Sequence, residues 1–344
     1  MLHLHTLWFV LIAVLWVGFF VLEGFDFGVG MLHRLVGRTE SEREVVVSTI
    51  GPWWDGNEVW LIVAGAGTFA AFPQWYATMF SALYLALVLV LVALMARGVS
   101  LEYTTKRAEP RWRERWRWAL TVSSALIPLL LGIGLGDLLH GLPIDSGHEY
   151  TGSFWDLLTP YGIWTGLTLL GLCLLHGATF LKLRTTGVLR DRAQALGRPI
   201  SWGATALVIG FVVWTRTFLG PDVPDPVQAL AVIAVVTAAL LVGGEHDGWA
   251  FTASAIAIAC CVGSIFIELY PNVMVSSTNS AYDLTVANSA SGGYALKVMT
   301  IVAVVMLPVV LLYQGWSFHV FRGRLQGPAS GAEDAPPSAV GATG

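Results

Sequence analysis

The chain has 344 residues, 55% of them hydrophobic and only 12% charged, with a formal net charge of −4. A soluble domain carries about 25% charged residues, so a soluble class is excluded. Long apolar runs recur along the sequence, and the fold class expected is an all-α polytopic membrane protein.

The first run, near 7–32, follows a segment with no basic stretch and no A-x-A site, so it reads as a retained helix. A membrane helix needs about 20 mostly apolar residues. Eight more candidates follow at 54–72, 76–97, 118–139, 160–183, 201–219, 227–243, 249–270 and 296–321. Pro221, Pro224 and Pro226 mark a turn between the sixth and seventh. Of the 19 basic side chains, 17 fall in the segments after spans one, three and five and after the last; only Arg216 and Lys297 fall on the other side. By the positive-inside rule the N-terminus lies outside and the C-terminus in the cytoplasm. The basic loops read as topology determinants, not as a nucleic-acid patch.

Span one carries Glu23 and Asp26, and span two begins with Asp55 and Glu58 in WWDGNEVW. Each pair has i, i+3 spacing and so shares a helix face. Ionisable groups inside a membrane are costly, which makes these four acids candidates for a protonatable path on the cytoplasmic side. A capping arrangement competes for the second pair, with Asp55 as N-cap, Glu58 at N3, and Trp53, Trp54 and Trp60 as interface anchors. Gly24 and Gly28 form a G-x-x-x-G step suited to close helix packing, and GIGLG at 132–136 lies in an apolar span with no flanking strand.

Among the histidines only His176 lies well inside a span. It reads as a hydrogen bond to a neighbouring helix or partner before it reads as a haem ligand. Glu268 is read as a polar contact to solvent or a partner. Cys173, Cys260 and Cys261 sit in apolar runs and read as packing residues. EGFDFGVGMLHR in span one and HGATFLKLR in span five share a G-x-x-F core. That weak repeat suggests two related four-helix bundles with one extra helix. The division expected is 1–140 and 141–270 for the bundles, 271–295 for a polar outer loop, and 296–324 for the ninth helix. A disordered cytoplasmic tail is expected at 325–344.

GFDFGVGMLHR, then GPWWDGNEVWLIVAGAGTFAAFP at 51–73, YPNVMVSST at 270–278 and KVMTIVAVVMLPVVLLYQGW at 297–316 resemble subunit II of cytochrome bd quinol oxidase. The matches run in order over essentially the whole chain. The resemblance implies nine helices, as two four-helix bundles plus one peripheral helix, in the bacterial cytoplasmic membrane. It implies a partner, subunit I, that carries the b and d haems, with no haem on this chain. It implies a complex that oxidises quinol and reduces oxygen to water, inactive without its partner. Small single-helix subunits, lipids and a structural quinone are further companions it suggests. Asp55 then matches the acid at the cytoplasmic proton entry, Asp26 that of GFDxGVG, with Glu23 beside it; Glu58 stands where relatives have Gln. A proton-coupled secondary transporter and a purely structural assembly subunit are the competing readings.

Overall fold

The computed structural model describes residues 4–220 and 226–327. Eleven α-helices dominate it: α1 (Leu4–Val36), α2 (Glu40–Ser48), α3 (Trp54–Ala71), α4 (Pro73–Ala82), α5 (Tyr84–Tyr103), α6 (Pro110–His140), α7 (Pro160–Arg184), α8 (Gly187–Leu219), α9 (Pro226–Leu241), α10 (Asp247–Leu269) and α11 (Gly293–Val320). Prolines open α4, α6, α7 and α9, where the missing N–H costs nothing. Gly141 (φ +104°) and Gly220 (φ +99°) follow α6 and α8 in backbone conformations that a side chain would strain.

Seven of these helices are long and apolar enough to cross a membrane: α1, α5, α6, α7, α8, α10 and α11. The other two expected spans fall on α3, with 18 residues, and α9, with 16. The third expected span is divided at Leu83 into α4 and α5. The sixth is the second half of the 33-residue α8. That helix starts earlier than its apolar run because Leu189, Ala193 and Gly197, four residues apart, bury one stripe of its polar half.

Helix α1 packs against α3, α6, α7 and α10. Its crossing with α7 brings two backbones together: a Cβ on Gly28 would lie 2.5 Å from the Gly177 Cα, on top of the Cys173 carbonyl. Phe25 stacks on Phe180 at 4.2 Å beside this crossing. The two G-x-x-F runs therefore pack directly on each other. An apolar cavity of about 430 Å³ opens between α1, α3, α4, α5 and α6, lined by Trp16, Leu61, Met79, Leu87, Leu131 and Leu135.

Ion pairs gather the basic segments at one end of the molecule. Arg34 meets Glu114 at 2.6 Å, Arg113 meets Glu40 at 3.1 Å, Arg192 meets Glu42 at 2.7 Å, and Arg324 meets Asp247 at 3.0 Å. At the other end the 271–292 segment folds back on the helices. Its strands β1 (Asn272–Met274) and β2 (Leu284–Thr285) pair antiparallel, Ser276 bridges Leu142, and the Ser291 N–H donates to the Ala71 carbonyl at 2.8 Å.

Only 6% of the apolar stretch of α11 is buried against the rest of the chain. Beyond it, the Leu325 N–H donates to the Arg184 carbonyl at 2.7 Å and the Thr186 N–H donates to the Leu325 carbonyl at 3.1 Å. The expected tail thus begins with a paired residue; 328–344 lie outside the described residues.

Helix α2 begins with a capping box between Thr39 and Glu42. Glu42 Oε2 also accepts from Arg192 Nη1 at 2.7 Å, which ties the α1–α2 corner to α8. Burial pushes this carboxyl up, but the Arg192 guanidinium and the Arg38 and Thr39 N–H groups outweigh it and hold the carboxyl below its usual range. Such a group stabilises the fold above its unfolded value, and the effect is lost as pH falls through the folded one. Glu42→Gln is therefore expected to lower the melting temperature of the purified protein at neutral pH, with the deficit vanishing in acid. An equal deficit at every pH would refute the linkage.

Candidate functional site

Near the basic end, four helices enclose a polar cluster. Glu23 and Asp26 sit one turn apart on α1, and both are fully buried. Asn57 and Glu58 come from the start of α3, and Arg97, also fully buried, from α5. The Arg97 Nη1 lies 2.7 Å from Glu23 Oε1 and 2.6 Å from Glu58 Oε1; only the Glu58 contact has hydrogen-bond geometry, so the Glu23 pairing is electrostatic. The guanidinium carbon sits 5.0 Å above the Phe27 ring, a second favourable contact for a cation in an apolar site. Asn57 Nδ2 donates to Asp26 Oδ2 at 2.7 Å and to the Leu22 carbonyl at 3.0 Å. Gln314 of α11 donates from Nε2 to Asn57 Oδ1 at 2.9 Å, and its Oε1 accepts from Trp60 Nε1 at 3.0 Å.

Three of the four expected acids are brought together here. Asp55 is not among them: it is exposed in the first turn of α3, at the mouth of the cluster. The capping arrangement does not form, because the N-cap is Trp53 and no side chain caps the helix. Glu58 turns inward to Arg97 instead, where opposite charge repays its burial. Two tryptophans also depart from the interface-anchor reading. Trp53 is buried, stacked on Phe318 at 5.1 Å with the Arg184 guanidinium 4.8 Å from its ring. Trp60 is buried and hydrogen-bonded to Gln314.

Arg97 was countable in the sequence only as one more loop cation, yet it lies six residues inside α5. Lys182 repeats the pattern: it is fully buried, 3.1 Å from Asp247, and donates to the Val242 and Gly244 carbonyls. Both stand within apolar runs, and that was the available signal. Asp137, at the opposite end of the molecule, is a third buried charge-bearing residue within an apolar run; Thr159 Oγ1 donates to its Oδ1 at 2.6 Å.

His176 contacts neighbouring helices, as expected. Its Nε2 is 3.2 Å from the Val21 carbonyl and its Nδ1 2.7 Å from Ser254 Oγ, with Phe251 stacked on the ring at 4.4 Å. A carbonyl only accepts, so Nε2 carries the proton, and Nδ1 is engaged by the Ser254 hydroxyl. With both nitrogens engaged, His176 does not fit an axial haem ligand. Among the described residues, no group of three or more His, Cys, Asp or Glu is placed to hold a metal ion. Glu268 forms an ion pair with Arg216, which also donates to Gln228 at 2.8 Å.

Residues 4–321 match the family model described as cytochrome bd terminal oxidase subunit II. The chain belongs to that family. Subunit II proteins of known identity are similar along their whole length. "Cytochrome bd ubiquinol oxidase subunit 2" of Bacillus subtilis is 45% identical over 333 residues, which cover 94% of this chain and 98% of the relative. "Cytochrome bd-I ubiquinol oxidase subunit 2" of Escherichia coli K12 is 35% identical over 360 residues, covering 94% and 95%. A chain in the structure of bd oxidase from Geobacillus thermodenitrificans shares the fold, with a TM-score of 0.74 at 17% identity over 92% of this chain and 98% of that one. As a bd oxidase subunit II, the chain is a multi-pass membrane component of an oxidoreductase complex of the respiratory chain, and it has a subunit I as partner.

Proposed function

We propose that this chain stabilises a haem-bearing subunit I and supplies a proton path to the oxygen-reducing haem. The observation that carries the reading is the imbalance of the buried cluster. Three carboxyls, Glu23, Asp26 and Glu58, face a single guanidinium. A low-dielectric site does not tolerate two uncompensated charges, so the cluster holds protons. Asp55, exposed at its mouth, is suited to exchange protons with water, and Glu58, one turn on, to pass them inward.

The accompanying assembly follows the family. In it, α1, α3, the α4–α5 pair and α6 form one four-helix group and α7 to α10 the other, roughly 1–140 and 141–270, with α11 peripheral. The packing of the two G-x-x-F runs on each other supports this pairing. The N-terminus lies outside and the basic end faces the cytoplasm of a bacterial inner membrane. Subunit I ligates the b and d haems and oxidises quinol; the engagement of both His176 nitrogens supports that division. A hydrocarbon chain, from a lipid or a structural quinone, suits the apolar cavity.

The test is oxygen uptake by the purified complex, with its visible haem spectrum as the assembly control. Asp26→Asn is expected to slow turnover at least about tenfold with normal haem content. Asp55→Asn should slow it less, because water replaces part of an exposed donor's role. Wild-type turnover in Asp26→Asn would refute the proton path and leave the chain a structural subunit.

A further inference from the structure

Helix α11 holds an amide where an apolar side chain would be expected. In its 28 residues only Leu296 and Ser317 are buried, so packing alone holds it weakly. Two polar contacts lie along it. Near its start, Trp8 Nε1 donates to Thr300 Oγ1 at 3.0 Å and, more weakly, to the Leu296 carbonyl at 3.3 Å. Deeper toward the basic end, Gln314 reaches the acid cluster.

The order of donors in that second contact is fixed from one end. An indole N–H only donates. Trp60 therefore holds the Gln314 carbonyl oxygen toward itself and turns the Gln314 amide nitrogen toward Asn57. Asn57 must in turn present its oxygen to Gln314, which leaves both its N–H groups for Asp26 and the Leu22 carbonyl. A flipped Asn57 would set two amide nitrogens against each other at Gln314 and its own oxygen against Asp26 and the Leu22 carbonyl.

We propose that Gln314, oriented by Trp60, is a positioning residue for the proton step. It keeps the Asn57 amide nitrogen on Asp26, so a helix with almost no buried surface sets the hydrogen bonding of the central acid. The inference rests on the proton-path reading. The other charged groups facing Asp26 are Glu23 on its own helix, Glu58 on α3 and Arg97 on α5, and the variants below leave all three in place.

The experiment compares Gln314→Leu, Trp60→Phe and Thr300→Val in the purified complex, reading oxygen uptake against pH with the haem spectrum as control. Thr300→Val removes the side-chain acceptor at the other polar contact of α11 and should leave turnover and pH profile unchanged. Gln314→Leu should cut turnover about three- to tenfold, the value of one hydrogen bond, and displace the pH profile. Trp60→Phe should act in the same direction, and combining the two should cost no more than Gln314→Leu alone. If Gln314→Leu does not assemble, Trp60→Phe carries the test. Asp26→Asn is run alongside. Should it be slow while Gln314→Leu and Trp60→Phe keep the wild-type rate and profile, the positioning role is refuted and the proton path stands. If Asp26→Asn is itself fully active, both fall.

Discussion

Replacing Arg97 with methionine is expected to prevent recovery of the assembled oxidase. The guanidinium is fully buried between Glu23 and Glu58. Removing one partner of such a group leaves charges without compensation and costs about 3–5 kcal/mol. A domain is stable by only about 5–15 kcal/mol in total, so the loss is a large share. The measurement is haem per subunit II in membranes, followed by the melting temperature of whatever can be purified. Arg97→Met combined with Glu23→Gln and Glu58→Gln removes the stranded charges and should restore assembly without restoring turnover. Normal assembly of Arg97→Met alone would show that the cluster is not held by this ion pair.

A similar loss is expected from Gly177→Val, for a steric reason. The α1–α7 crossing leaves no room for a side chain: a Cβ at Gly177 would lie on the Gly28 backbone and 2.7 Å from the Val29 nitrogen. Separating the helices would also pull apart the Phe25–Phe180 stack and strip His176 of its Val21 contact. Overpacking of this kind costs about 1–3 kcal/mol where neighbours can shift, and more against backbone. Gly203→Ala in α8 is the control, since its Cβ would meet nothing within 4 Å. It should leave the melting temperature unchanged or raised. Equal yields of the two variants would refute the close crossing.

The membrane class and the segregation of basic segments were legible in composition and charge, because they depend on the bilayer and not on packing. Glu23, Asp26 and Glu58 were legible as acids in apolar surroundings. What joins them was not. Arg97 and Lys182 lie close to helix ends, and only the assembled bundle shows that those ends are buried. The Asn57–Gln314 bond spans 257 residues, and no local spacing reports it. Trp53 resembled an interface anchor because it precedes a helix; its burial comes from α7 and α11, which pack over it. Helix α2 was a miss of a different kind. Thr39 and Glu42 spell a capping box in the sequence, but its nine residues carry too little apolar pattern to stand out from a loop.

The link from α11 to Asn57 also has a consequence for the order of synthesis. Asn57 leaves the ribosome 257 residues before its partner Gln314. Throughout translation the amide at the acid cluster lacks the group that orients it. Subunit II thus completes its central polar site only after α11 has been made.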